Sequence, residues 1–512
     1  MTLVSFAHQN GKAFISSVSR EEQKQLGQFM TPPLIAEFMA HRAVPVRTSS
    51  IIRILEPSAG AGILIAATVE AILSKDILPQ EIDLVLFEVD IRLKSALIEL
   101  TEKMRLTAEA KGVRLRCSLY FEDFLLSELV CSAKRQFDIC IANPPYFKLN
   151  KADERATKHA YAVHGQPNIY GLFLAASASL ISPGGKWCFI TPRSWLNGAY
   201  FAAVRRHLLR NLRIDALHLF ESRQNHFQDD AILQEALIVW GIAEAVQDQR
   251  ITFSCSNGAN DLTDATPFAV RATDIISDDD SQVIAAPTSA AAHEATAKLR
   301  TLPCTMGSIG LKVSTGPVVA HRAANYICDT PKHGTVPLLW MQHVTHAGVR
   351  WPIQKKREHI LSCPESSWML LPNANYVILR RFSPKEDTRR VTAAPYLSSL
   401  ESAFLGLENH LNYLHRPGGT LSRDEVIGLT AYLNSAVVDE YFRAFAGSTQ
   451  VNAAELRRLP IPCLATLERI GSMLPDTPSL FDAELAVTTH LEPPNRHTER
   501  HIQAEEAEVA TN

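Results

Sequence analysis

From about residue 30 to 255, short apolar runs alternate with longer stretches whose apolar positions recur every three or four residues. Short runs bounded by turn residues read as buried strands, and the longer rhythm reads as amphipathic helix. The pattern predicts strands at 51–55, 83–87, 113–119, 137–142, 186–190, 214–219 and 231–240, and helices at 34–43, 63–73, 91–110, 169–181 and 199–211. Strand–helix alternation of this kind gives an α/β fold with a mostly parallel sheet, here of seven strands, covered on both faces. The last two strands have no helix between them, so an antiparallel hairpin is expected at one edge.

Beyond 255 the pattern changes. Residues 271–297 hold the acidic cluster Asp278-Asp279-Asp280 and a small-residue tract at 285–292, the texture of a surface linker. Residues 300–465 combine short strands with Pro and Gly breaks and end in helical patterns, of which 422–445 predicts a packed helix. After about 465 the chain turns polar and acidic and is expected to fray. The resulting division is an α/β domain at 1–265, a linker at 266–299, an α+β domain at 300–465 and a polar tail at 466–512.

Composition narrows the picture. With 512 residues and 46% hydrophobic content, the chain supports packed cores in two or three domains. The net charge of -3 excludes a polycation, so any nucleic-acid surface is a local patch. Between 301 and 465 there are 17 Lys+Arg against 12 Asp+Glu, a local balance of +5. The blocks Lys355-Lys356-Arg357, Arg380-Arg381 and Arg389-Arg390 carry much of it, and Trp340, Gln342, His343, Arg350 and Trp351 fall in a strand-rich stretch beside the first. Nine widely spaced cysteines with no C-x-x-C pair exclude a Cys-only zinc ribbon and fit a reduced cytoplasm. No histidine pairs with Cys or Asp at metal spacing, no apolar run reaches membrane length and no signal peptide precedes residue 12, so neither a metal nor a membrane is expected.

Chemistry concentrates at the strand ends. Glu56-Pro57-Ser58-Ala59-Gly60-Ala61-Gly62 follows the first strand and opens a helix, its glycines permitting a tight turn and close approach of backbone to a ligand. Glu56 repels phosphate but suits a cation or an amine. Glu88 ends the second strand, where a carboxylate accepts hydrogen bonds from two ribose hydroxyls. The third strand ends near Glu122-Asp123-Phe124, so three neighbouring strands deliver Glu56, Glu88 and Asp123 to one acidic crevice. Asn143-Pro144-Pro145-Tyr146 follows the fourth strand directly. Two prolines stiffen the turn and remove two backbone donors. The Asn143 side-chain oxygen and the Pro144 carbonyl then suit a planar amino group, and Tyr146 offers a face to an aromatic ring.

On these motifs the chain resembles the TaqI-like, gamma-class DNA adenine-N6 methyltransferases, in particular type II modification enzymes of the PstI/BsuBI sort. The resemblance runs from about residue 25 to 462. It also takes in Gly27-Gln28-Phe29-Met30-Thr31-Pro32-Pro33 and the segment Gly447-Ser448-Thr449-Gln450-Val451-Asn452-Ala453. It implies a Rossmann-like class I methyltransferase domain followed by a target-recognition domain, with S-adenosylmethionine as methyl donor and double-stranded DNA as substrate. By the same resemblance Thr31 and Glu56 hold the methionine end of the donor, Glu88 the ribose, and Asp123 and Phe124 the adenine. Asn143 and Pro144 grip the target amino group, Pro145 belongs to the substrate side, and Tyr146 and Phe227 stack on a flipped-out base, with Phe220 the competitor for the second place. A monomer working beside a restriction endonuclease of the same specificity is implied as well. Two alternatives stand beside this: a methyltransferase acting on structured RNA or a protein glutamine, and a catalytically degenerate DNA-binding component of a restriction system.

Overall fold

Isoleucine and leucine at alternate strand positions turn Ile52, Ile54, Ile82, Leu84, Leu86, Ile139 and Ile141 to one face of a sheet. These residues belong to β1 (Ile51–Glu56), β2 (Glu81–Phe87) and β4 (Phe137–Ala142), with β3 (Arg114–Tyr120) beside β2. They pack against α1 (Leu3–Ser17), α2 (Pro33–Ala43), α3 (Ile63–Leu73) and α4 (Lys94–Glu109). Leu97, Leu100, Met104 and Ala108 form the one buried stripe of α4, whereas α3 buries ten of its 11 residues. A helix apolar all round is a core helix, and α3 starts directly from the 56–62 loop. The structure is a computed structural model that describes residues 1–19, 21–22, 30–46, 49–132, 135–220, 236–245, 249–383, 389–445 and 451–491. It divides into two units, 1–290 and 291–512.

In the first unit α5 (Ile169–Ala178), β5 (Ile181–Pro192), α6 (Ala202–Asn211), β6 (Arg213–Phe220), β7 (Ala236–Ile242), β8 (Arg250–Ser256) and β9 (Phe268–Arg271) complete a sheet that has nine strands among the described residues, not seven. The order is β3-β2-β1-β4-β5-β7-β6-β8-β9, with the first five strands parallel. The expected hairpin pairs β6 with β7 antiparallel, but β7 lies between β5 and β6 rather than at the edge. Beyond β6, Ile251 and Phe253 of β8 are fully buried, and Phe253 stacks on Phe268 of β9 at 5.6 Å. Those apolar positions need sheet neighbours and supply the two extra strands.

The stretch read as a linker is structured. It contains β9, a short helix Ala272–Ile275 and the start of α7 (Ala290–Arg300), and Ile284, Ala285 and Ala286 are buried. Small side chains let this backbone lie close to its unit, where Ile284 N–H donates to Leu196 O at 2.8 Å and Arg193 donates to Ala286 O at 2.7 Å.

The second unit holds β10 (Lys312–Thr315), β11 (Ile327–Cys328), β12 (Thr335–Leu339), β13 (Val344–Thr345), β14 (Gly348–Val349), β15 (His359–Leu361), β16 (Leu370–Pro372), β17 (Asn375–Arg380), β18 (Ala393–Leu397), β19 (Phe404–Leu407) and β20 (Leu411–His415). They form sheets β10-β20-β17-β18 and β11-β15-β12-β19-β16, with β13 and β14 as a separate hairpin. The helices are α8 (Arg423–Leu433), α9 (Ala436–Phe445), α10 (Ala453–Arg458), α11 (Leu464–Ser472) and α12 (Leu480–Leu491). The single helix read at 422–445 is therefore two. Between them the Asn434 amide hydrogen-bonds both Ala393 N–H and Ala393 O at 2.9 Å, which ties the break to β18. The region read as a fraying tail contributes Leu467, Ile470, Ala483, Ala486 and Val487 to this unit's core; only 492–512 lie outside the described residues. Helices α8 and α11 meet backbone to backbone, because a Cβ at Gly428 would overlap Leu467 O and one at Gly471 would overlap Asp424 O.

Candidate active site

Parallel pairing of β3, β2, β1 and β4 brings their carboxyl ends to one edge, and the residues that follow each strand line one cavity. Its wall includes Thr31, Glu56, Glu88, Asp123, Phe124, Asn143 and Pro145. All five residues read as holding the methyl donor, and two of the Asn-Pro-Pro-Tyr tetrad, are thus brought together.

Glu56 ends β1 and is 1% exposed. Among the described residues, its Oε2 finds no hydrogen-bond partner. Burial pushes this carboxyl far above the usual carboxylate range, and the nearby charge of Glu88 adds to the effect. Glu88 behaves differently. Its Oε2 accepts Gly60 N–H at 2.7 Å and its Oε1 accepts Asp90 N–H at 2.8 Å, which ties the glycine turn to the end of β2. Burial still raises its pKa, against the pull of those two N–H groups. The turn needs glycine at Gly62, where φ is 82° and a Cβ would strike Leu100 of α4.

At the far side, Asp123 Oδ1 accepts Leu125 N–H at 2.9 Å and its Oδ2 lies 3.4 Å from Arg155. Arg155, on a short helix Glu154–Lys158, is held by Asp153 at 2.7 Å and 2.8 Å and also lines the cavity. Phe124 packs edge-on against Phe87 at 5.3 Å and meets Phe173 of α5 at 5.4 Å, giving the cavity a rigid aromatic wall.

The tetrad is cross-braced. Asn143 Nδ2 donates to Thr31 Oγ1 at 3.0 Å, and the Tyr146 hydroxyl lies 2.5 Å from Asn143 Oδ1 and 3.1 Å from Ile190 O. Ser58 Oγ donates to Asn143 O at 3.0 Å, joining the first loop to the last. Tyr146 itself is buried, with Tyr170 edge-on at 6.0 Å; burial, followed by Tyr170, pushes its phenol up, so it stays protonated and donates. The ring was expected as an open face, but the structure turns its hydroxyl inward onto Asn143. Pro144 is buried and Pro145 half-buried. Phe227 lies outside the described residues, and Phe220, its competitor, is buried in β6 with His218 edge-on at 5.0 Å. Ser58, given no role in the sequence, lines the cavity too, as do Phe147 and Arg155, which went unread there. Neither Phe147 nor Arg155 carries a sequence signal, because only the fold brings Arg155 to Asp123, 32 residues away.

The basic blocks of the second unit separate sharply. Arg390 is fully buried, its N–H donating to Asp439 and its guanidinium to Ser383 O; Arg389 pairs with Glu484 at 3.3 Å. Arg380 donates to Val344 O at 2.6 Å and Arg381 to Asn409 O at 3.3 Å. These arginines, which carry part of the local positive balance, hold segments of their own unit. Lys355, Lys356 and Arg357 are all exposed. In the neighbouring strand-rich stretch His343 is buried, whereas Gln342 and Arg350 are exposed.

A family model described as Eco57I restriction-modification methylase matches residues 82–227. The chain is 33% identical over 464 residues to the type II methyltransferase M.BsuBI of Bacillus subtilis, covering 88% of this chain and 90% of that one. It is 30% identical over 468 residues to the type II methyltransferase M.PstI of Providencia stuartii, covering 90% and 91%. Among solved structures, the type IIL restriction-modification enzyme MmeI aligns over 98% of this chain and 78% of its own, with a TM-score of 0.53 at 11% identity, a likeness of fold.

Proposed function

Because the chain belongs to the type II methyltransferases that include M.BsuBI and M.PstI, we infer that it transfers a methyl group to N6 of one adenine within a short duplex sequence. It is a site-specific DNA methyltransferase of a restriction-modification system, and its methyl donor is S-adenosylmethionine. The reading of an amino nitrogen as the target is supported by one observation: the Asn143 amide is fixed between Thr31 and Tyr146 and lines the same cavity as Glu56, whose Oε2 has no hydrogen-bond partner among the described residues.

The residues present fit the donor. Glu56 Oε2, buried and without a partner among the described residues, matches an ammonium group. Glu88 matches ribose hydroxyls, and Asp123 with the Phe124 ring matches adenine. S-adenosylmethionine, when bound, supplies a methyl group made electrophilic by its sulfonium. Everything else falls to the chain. Asn143 Oδ1 and Pro144 O accept hydrogen bonds from the two N–H groups of the target amine, which draws its lone pair out of conjugation and aims it at the methyl. As the N–CH3 bond forms the S–CH3 bond breaks to leave a neutral thioether, and the nitrogen releases one of its two protons to solvent. Positioning of this kind lowers a barrier by roughly 7–11 kcal/mol. No side chain need act as nucleophile. Thr31 and Tyr146 hold the Asn143 amide in its working rotamer, and Pro145 stiffens the turn.

Adenine must leave the duplex to reach Asn143, at a cost of a few kcal/mol. Stacking on Tyr146 and Phe227, at about 1–3 kcal/mol per contact, offsets it. For Tyr146 this requires the groups now covering its ring to part as the base enters. In this reading the second unit recognises the target sequence, and the protein acts as a cytoplasmic monomer beside an endonuclease that cuts the same site.

Asn143→Ala tests the assignment. Methyl transfer from tritiated S-adenosylmethionine to duplex DNA should vanish while donor affinity, measured by calorimetry, stays near wild type. Loss of donor binding in that variant would contradict the role given to Asn143. Methyl groups recovered on cytosine would refute the choice of adenine.

A further inference from the structure

Of the three basic blocks in the second unit, only Lys355-Lys356-Arg357 turns all its side chains to solvent. It sits in the turn between Arg350, just after β14, and β15. One buried carboxylate organises that turn. Glu358 is 2% exposed, and its Oε1 accepts Ile353 N–H at 2.9 Å while its Oε2 accepts Lys355 N–H at 3.2 Å. The same Oε1 lies 2.7 Å from His343 Nε2. His343 Nδ1 accepts Trp340 N–H at 2.8 Å, so the ring proton sits on Nε2 and is donated to Glu358.

Two indoles complete the frame. Trp340 Nε1 donates to Arg357 O at 2.6 Å and Trp351 Nε1 donates to Glu358 O at 2.9 Å. The Arg357 guanidinium lies 5.5 Å above the Trp340 ring. Gln354 and Arg357 have φ of 59° and 69°, a left-handed conformation that non-glycine residues adopt only when their surroundings impose it.

From 340 to 362 the acidic side chain is Glu358 alone, and it is spent inside the turn. The outer surface therefore presents Arg350, Gln354, Lys355, Lys356 and Arg357 with no carboxylate from its own segment. A surface that is only cationic and amide, held rigid from within, fits a polyanion of fixed geometry. Rigidity matters because ordering long basic side chains and their loop on binding costs affinity, and a preset loop has met that cost in advance.

We propose that the 350–357 turn is a docking surface for the phosphate backbone of duplex DNA, and that the buried His343–Glu358 pair is its positioning device. The proposal rests on the reading of DNA as substrate. Lys355, Lys356 and Arg357 contact phosphates and set the register of the second unit on the duplex; Gln354, at the left-handed apex, is the side chain placed to meet a base edge.

The test uses the full chain. Wild type is first checked for methylation of linear plasmid DNA, and if that fails, the DNA reading fails before any variant is made. Binding to a random-sequence duplex is then followed against salt. The exposed triple variant Lys355→Gln, Lys356→Gln, Arg357→Gln should reduce the slope of log K against log salt by about 0.9 for each phosphate contact, or roughly 2–3 in total. Donor binding should not change. Glu358→Gln keeps the three charges but frees the turn, so its salt slope should stay close to wild type while KM for methylatable DNA rises about ten-fold, in the range of a lost charge-assisted hydrogen bond. An unchanged slope in the triple variant overturns the docking surface. An unchanged KM in Glu358→Gln overturns the positioning role.

Discussion

A carboxylate oxygen buried with no hydrogen-bond partner among the described residues makes the ligand-free protein sensitive to pH. The pKa of Glu56 in the folded chain lies above its ordinary value of 4.5, so the native state binds that proton more tightly than the unfolded state. As pH rises from about 4.5 through the folded pKa, the empty protein should lose stability. Glu56→Gln should flatten this dependence in thermal melts and stabilise the ligand-free protein at neutral pH. It should also weaken donor binding roughly 10- to 100-fold, the worth of about 1.5–3 kcal/mol for a hydrogen bond to a charged group. Transfer leaves the ammonium untouched, so the loss belongs in KM rather than kcat. A variant as pH-sensitive as wild type would exclude Glu56 as the source. Tyr146 offers a second case. Tyr146→Phe keeps the ring and removes the hydroxyl, so kcat should drop roughly 2- to 12-fold, matching about 0.5–1.5 kcal/mol for one hydrogen bond. Tyr146→Ala should cost more, because stacking goes too. Equal rates for wild type and the Phe variant would show that the hydroxyl does not position Asn143. The carboxylates were legible in the sequence because each follows an apolar run that can only be a strand. The Tyr146–Asn143–Thr31 bracing was not, since Thr31 lies 112 residues away from its partner.

Among the elements, strands bounded by turn residues were readable to within a few positions, as β4 at Phe137–Ala142 illustrates. Elements whose cue is small-residue content were misread. The 285–292 tract looks like a linker because alanine and serine carry no periodic signal, yet small size is what lets that backbone pack and hydrogen-bond in the first unit. Gly428 and Gly471 follow the same logic: inside a helix glycine usually signals a weak point, but here it permits α8 and α11 to touch. Gly428→Ala should therefore destabilise the second unit by about 1–3 kcal/mol or more, the usual cost of overpacking, even though alanine is the better helix former. Differential scanning calorimetry would register it as a lowered transition, and a raised one would refute the close approach.

For the molecule as a whole, the order of chemistry along the chain was legible and the use of its positive charge was not. A count of +5 over 301–465 does not distinguish Arg390, sealed against Asp439 and Ser383, from Lys356 in open solvent. Burial decides that, and burial depends on contacts between segments far apart in sequence. The same dependence gives the unpaired oxygen of Glu56 a reach beyond its pocket. A protein whose native state is stabilised when its cationic methyl donor enters has a lifetime tied to the supply of that donor. We expect cells starved of methionine to clear this protein by proteolysis faster than they clear the Glu56→Gln variant, so that guardianship of the genome would fade with the metabolite that pays for it.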